Sequence, residues 1–155
     1  MYTSPDRTYS EWRNGAFAAL TDDGRIIEWG ESFREIDLAK DALDDGSIYL
    51  DIFSAETAFA AMRNDGIVFS WGEKIGNSGV TIDIGDEQIV DIAGGSFGFV
   101  GLTESGGLYA WGNGGLDPEF EVSGIQDIYS GSAMYAGIVD DGRIFSLTGL
   151  GPGQS

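Results

Sequence analysis

Short apolar runs alternate with polar turns along this chain, and the alternation repeats at a spacing of about 40 residues. In the clearest copy, Phe99-Val100-Gly101-Leu102 meets the turn Thr103-Glu104-Ser105-Gly106-Gly107, and Leu108-Tyr109-Ala110-Trp111 leaves it before Gly112. Set in register at the turn glycine, the same cassette is read without a gap at Leu20–Gly30, Met62–Gly72 and Ile138–Thr148. Two apolar runs joined by a polar turn ending in Gly predict a β-hairpin. Asp23-Gly24, Asp65-Gly66, Gly106-Gly107 and Asp141-Gly142 supply the positive φ that such turns require. An aromatic residue stands three positions before each leading apolar residue: Phe17, Phe59, Phe99 and Tyr135. Small residues on the first strand (Ala18-Ala19, Ala60-Ala61, Gly101, Ala136-Gly137) suit sheets packed closely around an axis. Trp29-Gly30, Trp71-Gly72 and Trp111-Gly112 close three cassettes, and Leu147-Thr148 closes the fourth. The tryptophans are read as core that fills the wider space away from the axis, and each Gly lets the chain bend away.

The linkers complete the unit. Val80-Thr81-Ile82-Asp83-Ile84 and Glu119-Phe120-Glu121-Val122 alternate with period two and predict outer strands. Ser32-Phe33-Arg34-Glu35 matches a capping box, with Ile36, Ala39, Lys40 and Leu43 at helical spacing, so one short helix near 32–44 competes there with an outer strand around Ile36-Asp37-Leu38. Gly46, Gly85 and Gly124 precede the inner strands Ile48–Ile52, Gln88–Ile92 and Ile125–Ile128. Four strands in about 40 residues are one blade of a β-propeller. The expected fold is therefore all-β: a β-propeller or partial propeller built from four repeat hairpins, 16–30, 58–72, 98–112 and 134–149. Residues 1–15 read as an atypical N-terminal cap or a lent strand, and 150–155 as a tail, within a single repeat domain 1–155.

Composition narrows the chemistry. Among 155 residues there is no Cys and no His, which removes disulfides, thiolate nucleophiles, imidazole bases and every Cys/His metal site. The 26 acids against 8 Lys and Arg give a formal charge of −18, which repels nucleic acid and favours a basic protein partner, a cationic surface, or simply solubility at high salt. No apolar stretch is long enough for a membrane span, and the N-terminus carries no apolar leader core. The expected location is the cytoplasm or an assembled particle.

The string Ile89-Val90-Asp91-Ile92-Ala93-Gly94-Gly95, followed by Leu102-Thr103-Glu104-Ser105-Gly106-Gly107-Leu108-Tyr109-Ala110-Trp111-Gly112, resembles the repeats of the regulator of chromosome condensation family. The likeness extends over residues 16–149, and the short repeat is similar to that of bacterial members. The resemblance implies a seven-bladed propeller used for protein recognition, with nucleotide exchange on a small GTPase in the founding protein. The family's His falls at Gly98, with Ala16, Ala58 and Met134 in the other copies. Four hairpins stand where a whole ring needs about seven blades, and no exchange-factor residue matches position by position.

Unfinished blades leave strand edges and faces open. Two chains joining head to tail into one ring, a four-bladed closure, and an arc clasping a partner all solve this. The expected function is a noncatalytic protein–protein interaction and assembly module without cofactor or metal; the alternative is a carbohydrate-recognising, lectin-like propeller. Trp12, Phe33, Phe97 and Phe120 fall outside the repeated pattern and are the candidate partner contacts. The acidic groups Asp41, Asp44 and Asp45, Asp83, Asp86 and Glu87, and Asp117, Glu119 and Glu121 read as solvated linkers, since close pairs arise by chance at this acid content.

Overall fold

A computed structural model describes residues 3–10, 16–30, 43–72, 75–96, 98–112, 123–131 and 134–148. Its strands are β1 (Thr3–Ser10), β2 (Ala16–Thr21), β3 (Ile26–Gly30), β4 (Tyr49–Ser54), β5 (Ala58–Arg63), β6 (Val68–Gly72), β7 (Gly76–Ile82), β8 (Ile89–Gly94), β9 (Gly98–Thr103), β10 (Leu108–Gly112), β11 (Ile125–Ser130), β12 (Met134–Val139) and β13 (Ile144–Thr148). They form four antiparallel sheets, β1-β2-β3, β4-β5-β6-β7, β8-β9-β10 and β11-β12-β13, which we call blades one to four. The expected β-propeller or partial propeller is the observed architecture.

The register within each blade repeats. Leu20 pairs with Ile26, Met62 with Val68, Leu102 with Leu108 and Ile138 with Ile144 across the hairpins. One pair further along, a small residue faces a large one: Ala61 opposite Phe69, Gly101 opposite Tyr109, Gly137 opposite Phe145. The reason is space. A Cβ added at Gly137 would lie 2.2 Å from Phe145 Cε1, so the ring lies across bare backbone. Phe17 and Phe99 stack on Trp29 and Trp111 with ring centroids 5.5 Å apart in each pair, and Phe59 lies tilted against Trp71 at 5.6 Å.

Consecutive blades touch through their inner strands, β1 on β4, β4 on β8, and β8 on β11. No comparable contact joins β11 to β1 among the described residues, so the four blades form an open arc. Three core clusters fill the three junctions: Leu20 and Ile26 with Tyr49, Ile52, Phe59 and Trp71; Ala60 and Val68 with Ile92, Phe99 and Trp111; Val100 and Leu102 with Ile125, Ile128 and Tyr135. Near the axis the approach is close enough to require Gly94, where an added Cβ would lie 2.1 Å from the Ser54 carbonyl oxygen.

Two expectations change. Within the N-terminal segment, read as an atypical cap or a lent strand, β1 pairs antiparallel with β2 of its own blade, in the place that β4, β8 and β11 take in theirs. Thr3-Ser4-Pro5-Asp6-Arg7-Thr8-Tyr9-Ser10 lacks the apolar alternation of an inner strand, and β2 recruits it by backbone pairing. Pro5 is compatible with an edge strand, and the register shifts between Thr3 and Thr8. The inner strands β4 and β8 also run two residues beyond the Ile52 and Ile92 ends expected for them, and β11 runs two beyond Ile128. The outer strand expected at 80–84 is β7, which starts earlier and pairs with β6. The short helix near 32–44 and the outer strand at 119–122 lie outside the described residues, apart from Leu43 and Asp44; Leu43 is buried in the first cluster. Among the described residues no helix is long and apolar enough to cross a membrane.

Candidate interaction surfaces

Each blade presents two unlike faces, and the repeat register decides which residues go to which. One face meets the preceding blade through its Phe–Trp pair and the residue two before the tryptophan: Phe59, Phe69 and Trp71 in blade two, Phe99, Tyr109 and Trp111 in blade three. The other meets the following blade through the hairpin's leading aliphatics: Leu20 and Ile26 in blade one, Val68 in blade two, Leu102 and Leu108 in blade three.

Polar contacts fasten the junctions. Trp71 Nε1 donates to Glu28 Oε1 across the first junction. The Tyr49 amide donates to the Gly24 carbonyl at 2.8 Å, and the Ile125 amide to the Gly106 carbonyl at 3.0 Å, so the hairpin turn of one blade receives the first inner-strand residue of the next. The Glu56 amide donates to the Gly95 carbonyl at 3.2 Å. The Tyr135 hydroxyl donates to the Gly98 carbonyl at 3.0 Å, and burial raises its pKa. This last contact gives Gly98 a structural account. Its φ is +153° and a Cβ would lie 2.2 Å from the Trp111 carbonyl oxygen, so the backbone there has no room for the family's imidazole.

In blades one and four, one such face meets no other blade among the described residues. Trp29 is 45% exposed, whereas Trp71 and Trp111 are 1% and 8% exposed. Ile144 aligns with Ile26 and Val68, which are 8% and 0% exposed, and is itself 76% exposed. Tyr129 and Met134, on the same side of blade four, are 55% and 54% exposed. Strand β9 is buried along its whole length, while β12 opens with an exposed residue and buries only Tyr135 and Gly137. Trp29 was expected as blade core; its position in the array, and not its motif, leaves it half open.

The inner strands of blades two to four carry an acidic file, Asp51, Asp91 and Asp127, at the same register position. Asp51 and Asp91 each accept from the next residue's amide at 2.9 Å, which holds the local bulge. Burial raises the Asp91 pKa, the Ile92 amide opposes this, and the charges of Asp127 and Asp51 raise it further. Beside it lies an open depression of about 410 Å³ lined by Phe53, Asp91, Ile128, Tyr129 and neighbouring residues. Among the described residues no group of three acids could hold a metal ion.

The candidate partner contacts Trp12, Phe33, Phe97 and Phe120 all lie outside the described residues. The residues that sequence reasoning missed are Tyr129, Met134 and Ile144. Their signal was present but indirect: for Ile144, an aliphatic at a position buried at Ile26 and Val68 and partly buried at Leu108.

Residues 89–116 match the family model for the regulator of chromosome condensation (RCC1) repeat. No curated protein sequence matches the chain. Among solved structures the fold is similar to Prp20p of Saccharomyces cerevisiae, in a study of its binding to Gsp1p and histones, with TM-score 0.68, 18% identity, and coverage of 89% of this chain and 43% of that one. It is equally similar to yeast RCC1 (Prp20) in a complex with Kap60, at TM-score 0.68, 17% identity, 89% and 42% coverage. The ectodomain of the Physcomitrella patens receptor kinase CR4 follows at TM-score 0.67, 14% identity, 92% and 41% coverage. The chain spans less than half the length of each of these structures.

Proposed function

With an RCC1-type repeat in its third blade and the propeller architecture of its structural neighbours, we propose that this chain is a noncatalytic protein–protein interaction and assembly module. The observation that carries the reading is the open arc, which leaves apolar blade faces uncovered at both ends. Contiguous exposed apolar surface on a folded domain marks interaction sites. Two of the structural neighbours are described with bound proteins, Gsp1p, histones and Kap60, which supports the same use of the fold here. The formal charge of −18 favours a basic protein over nucleic acid as the external partner, and head-to-tail association of copies, or seating of the arc on a larger protein, covers the ends.

Affinity capture with the immobilised chain, followed by mass spectrometry, tests the reading. One basic protein enriched in replicate captures and released by salt is the expected result. Retention of no protein, together with strong binding on a glycan array that is lost on changing Trp12 or Phe120, would replace it with the carbohydrate-binding alternative.

A further inference from the structure

We propose that blade four of one copy docks blade one of a second copy head to tail, with Met134, Ile138 and Ile144 of the first against Phe17, Ile27 and Trp29 of the second. The inference rests on the reading of the chain as an assembly module and specifies which surfaces join. It follows from the chain's own junctions. The first two internal junctions are made of the same two halves, the leading aliphatics of one blade and the Phe–Trp pair of the next, and the third sets Leu102 and Leu108 against Tyr135 and Phe145 of blade four. Among the described residues blade one leaves its aromatic half exposed and blade four its aliphatic half, and the two halves are complementary to each other rather than to themselves. A contact between unlike patches is heterologous, and two open arcs related by a twofold axis would form it twice.

The turn glycines mark the same open face of blade four among the described residues. A Cβ on Gly24 would lie 2.5 Å from Ile48 Cγ2, on Gly66 2.9 Å from Gln88 Cγ, and on Gly106 2.8 Å from the Gly124 nitrogen, each belonging to the incoming chain of the next blade. Gly142, with the same positive φ of +84°, meets nothing within 4 Å among the described residues. Tyr49 and Ile125, whose amides reach Gly24 and Gly106, pair with Arg63 and Val139 in their own blades. The matching residue of blade one is Thr3, paired with Thr21. In the assembly its amide donates to the Gly142 carbonyl of the other copy. Ser146 takes the place of Glu28 in the repeat register and so faces the Trp29 indole of that copy.

Sedimentation velocity on the 155-residue chain tests this. The wild-type chain is expected to associate, more tightly as salt screens the charge of −18. Ile144→Asp and Trp29→Asp should each weaken association on the order of 30-fold, the fold-change of a buried unpaired charge. Mixed in equal amounts, the two variants should associate again, since each contributes the face the other has lost. Should Trp29→Asp fail to give a cooperative thermal transition, Ile27→Ser on the same face replaces it. Ser146→Glu, which rebuilds the Glu28–Trp71 contact, should tighten association about tenfold, against the sign of its added negative charge. A chain that stays monomeric at all concentrations, association indifferent to both substitutions, or no recovery on mixing would overturn the head-to-tail surface. Capture of a basic protein by that same monomer would leave the assembly-module reading standing, whereas loss of capture as well would remove both.

Discussion

Trp71 and Trp29 occupy the same place in the repeat, pack against the same kind of phenylalanine and precede the same glycine, yet one is 1% exposed and the other 45%. The difference lies in the blade in front of them. Trp71 is closed over by Leu20, Ile26 and Glu28 of blade one; among the described residues no blade packs in front of Trp29. The lesson is that in this architecture local sequence sets the hairpin and the neighbour sets the burial, as expected where each repeat contacts only the next.

Substitutions at matched positions can break this comparison. The largest gap is expected at the tryptophans themselves. Trp71→Ala should cost about 3–5 kcal/mol of folding stability, through lost burial and a cavity. Trp29→Ala should cost about 1–2 kcal/mol in the monomer, because nearly half of the side chain is already in water and the loss is the Phe17 stack with the remaining burial. Urea titrations of the two variants measure both, and equal costs would mean that the end blade is packed like an internal one.

The turn glycines give a smaller contrast with a shared background. Gly24 and Gly142 have φ of +80° and +84°, so Ala at either position incurs the same backbone strain of about 1 kcal/mol. Gly24→Ala adds a clash with Ile48 and should cost about 1–3 kcal/mol more. The difference between the two, read from thermal unfolding, isolates the contact with the following blade.

Glu28→Ala removes the acceptor for Trp71 Nε1 and leaves a buried indole N–H unpaired. A cost of about 1–2 kcal/mol is expected. Glu28→Gln, which keeps an acceptor oxygen, should recover most of it, and failure to do so would show that charge and not hydrogen bonding matters there.

The smallest effect concerns the acidic file. Because the Asp91 pKa is raised in the folded state, its contribution favours folding below the ordinary carboxylate range and is lost as pH rises through the raised value. At neutral pH ionised Asp91 therefore opposes folding. Asp91→Asn should stabilise the chain there by a few tenths of a kcal/mol, discounted for screening in this half-open position. The gain should vanish on acidification. Asp23, Asp45 and Asp141 work the other way. Hydrogen bonds lower their pKa values, from Thr21 and Arg25 to Asp23, from Ser47 to Asp45 and from Arg143 to Asp141, so their contribution is present at neutral pH and fades as pH falls through the lowered values. A pH series of melting curves on wild type and Asp91→Asn separates the two signs.

Much of this was legible in the sequence. The hairpins and their register follow from Thr103-Glu104-Ser105-Gly106 and its counterparts, because positive φ and the Phe–Trp cross-strand pair leave little freedom in the alignment. Strand β1 was not legible, since Thr3–Ser10 has no apolar face to report and is a strand only by pairing with β2. The exposure of Trp29 and Ile144 was not legible either. Their local motifs are those of buried residues, and only their places at the ends of the series set them apart. The aromatic residues chosen as partner contacts stood out for breaking the repeat, whereas the exposed end faces are made of residues that obey it.

The most direct test of this account is the absolute mass of the chain in solution, measured by light scattering after size exclusion at low and high salt. Complementary end faces predict a species near twice 16.5 kDa that becomes dominant as salt is raised. A single species of 16.5 kDa at every concentration and salt would contradict it.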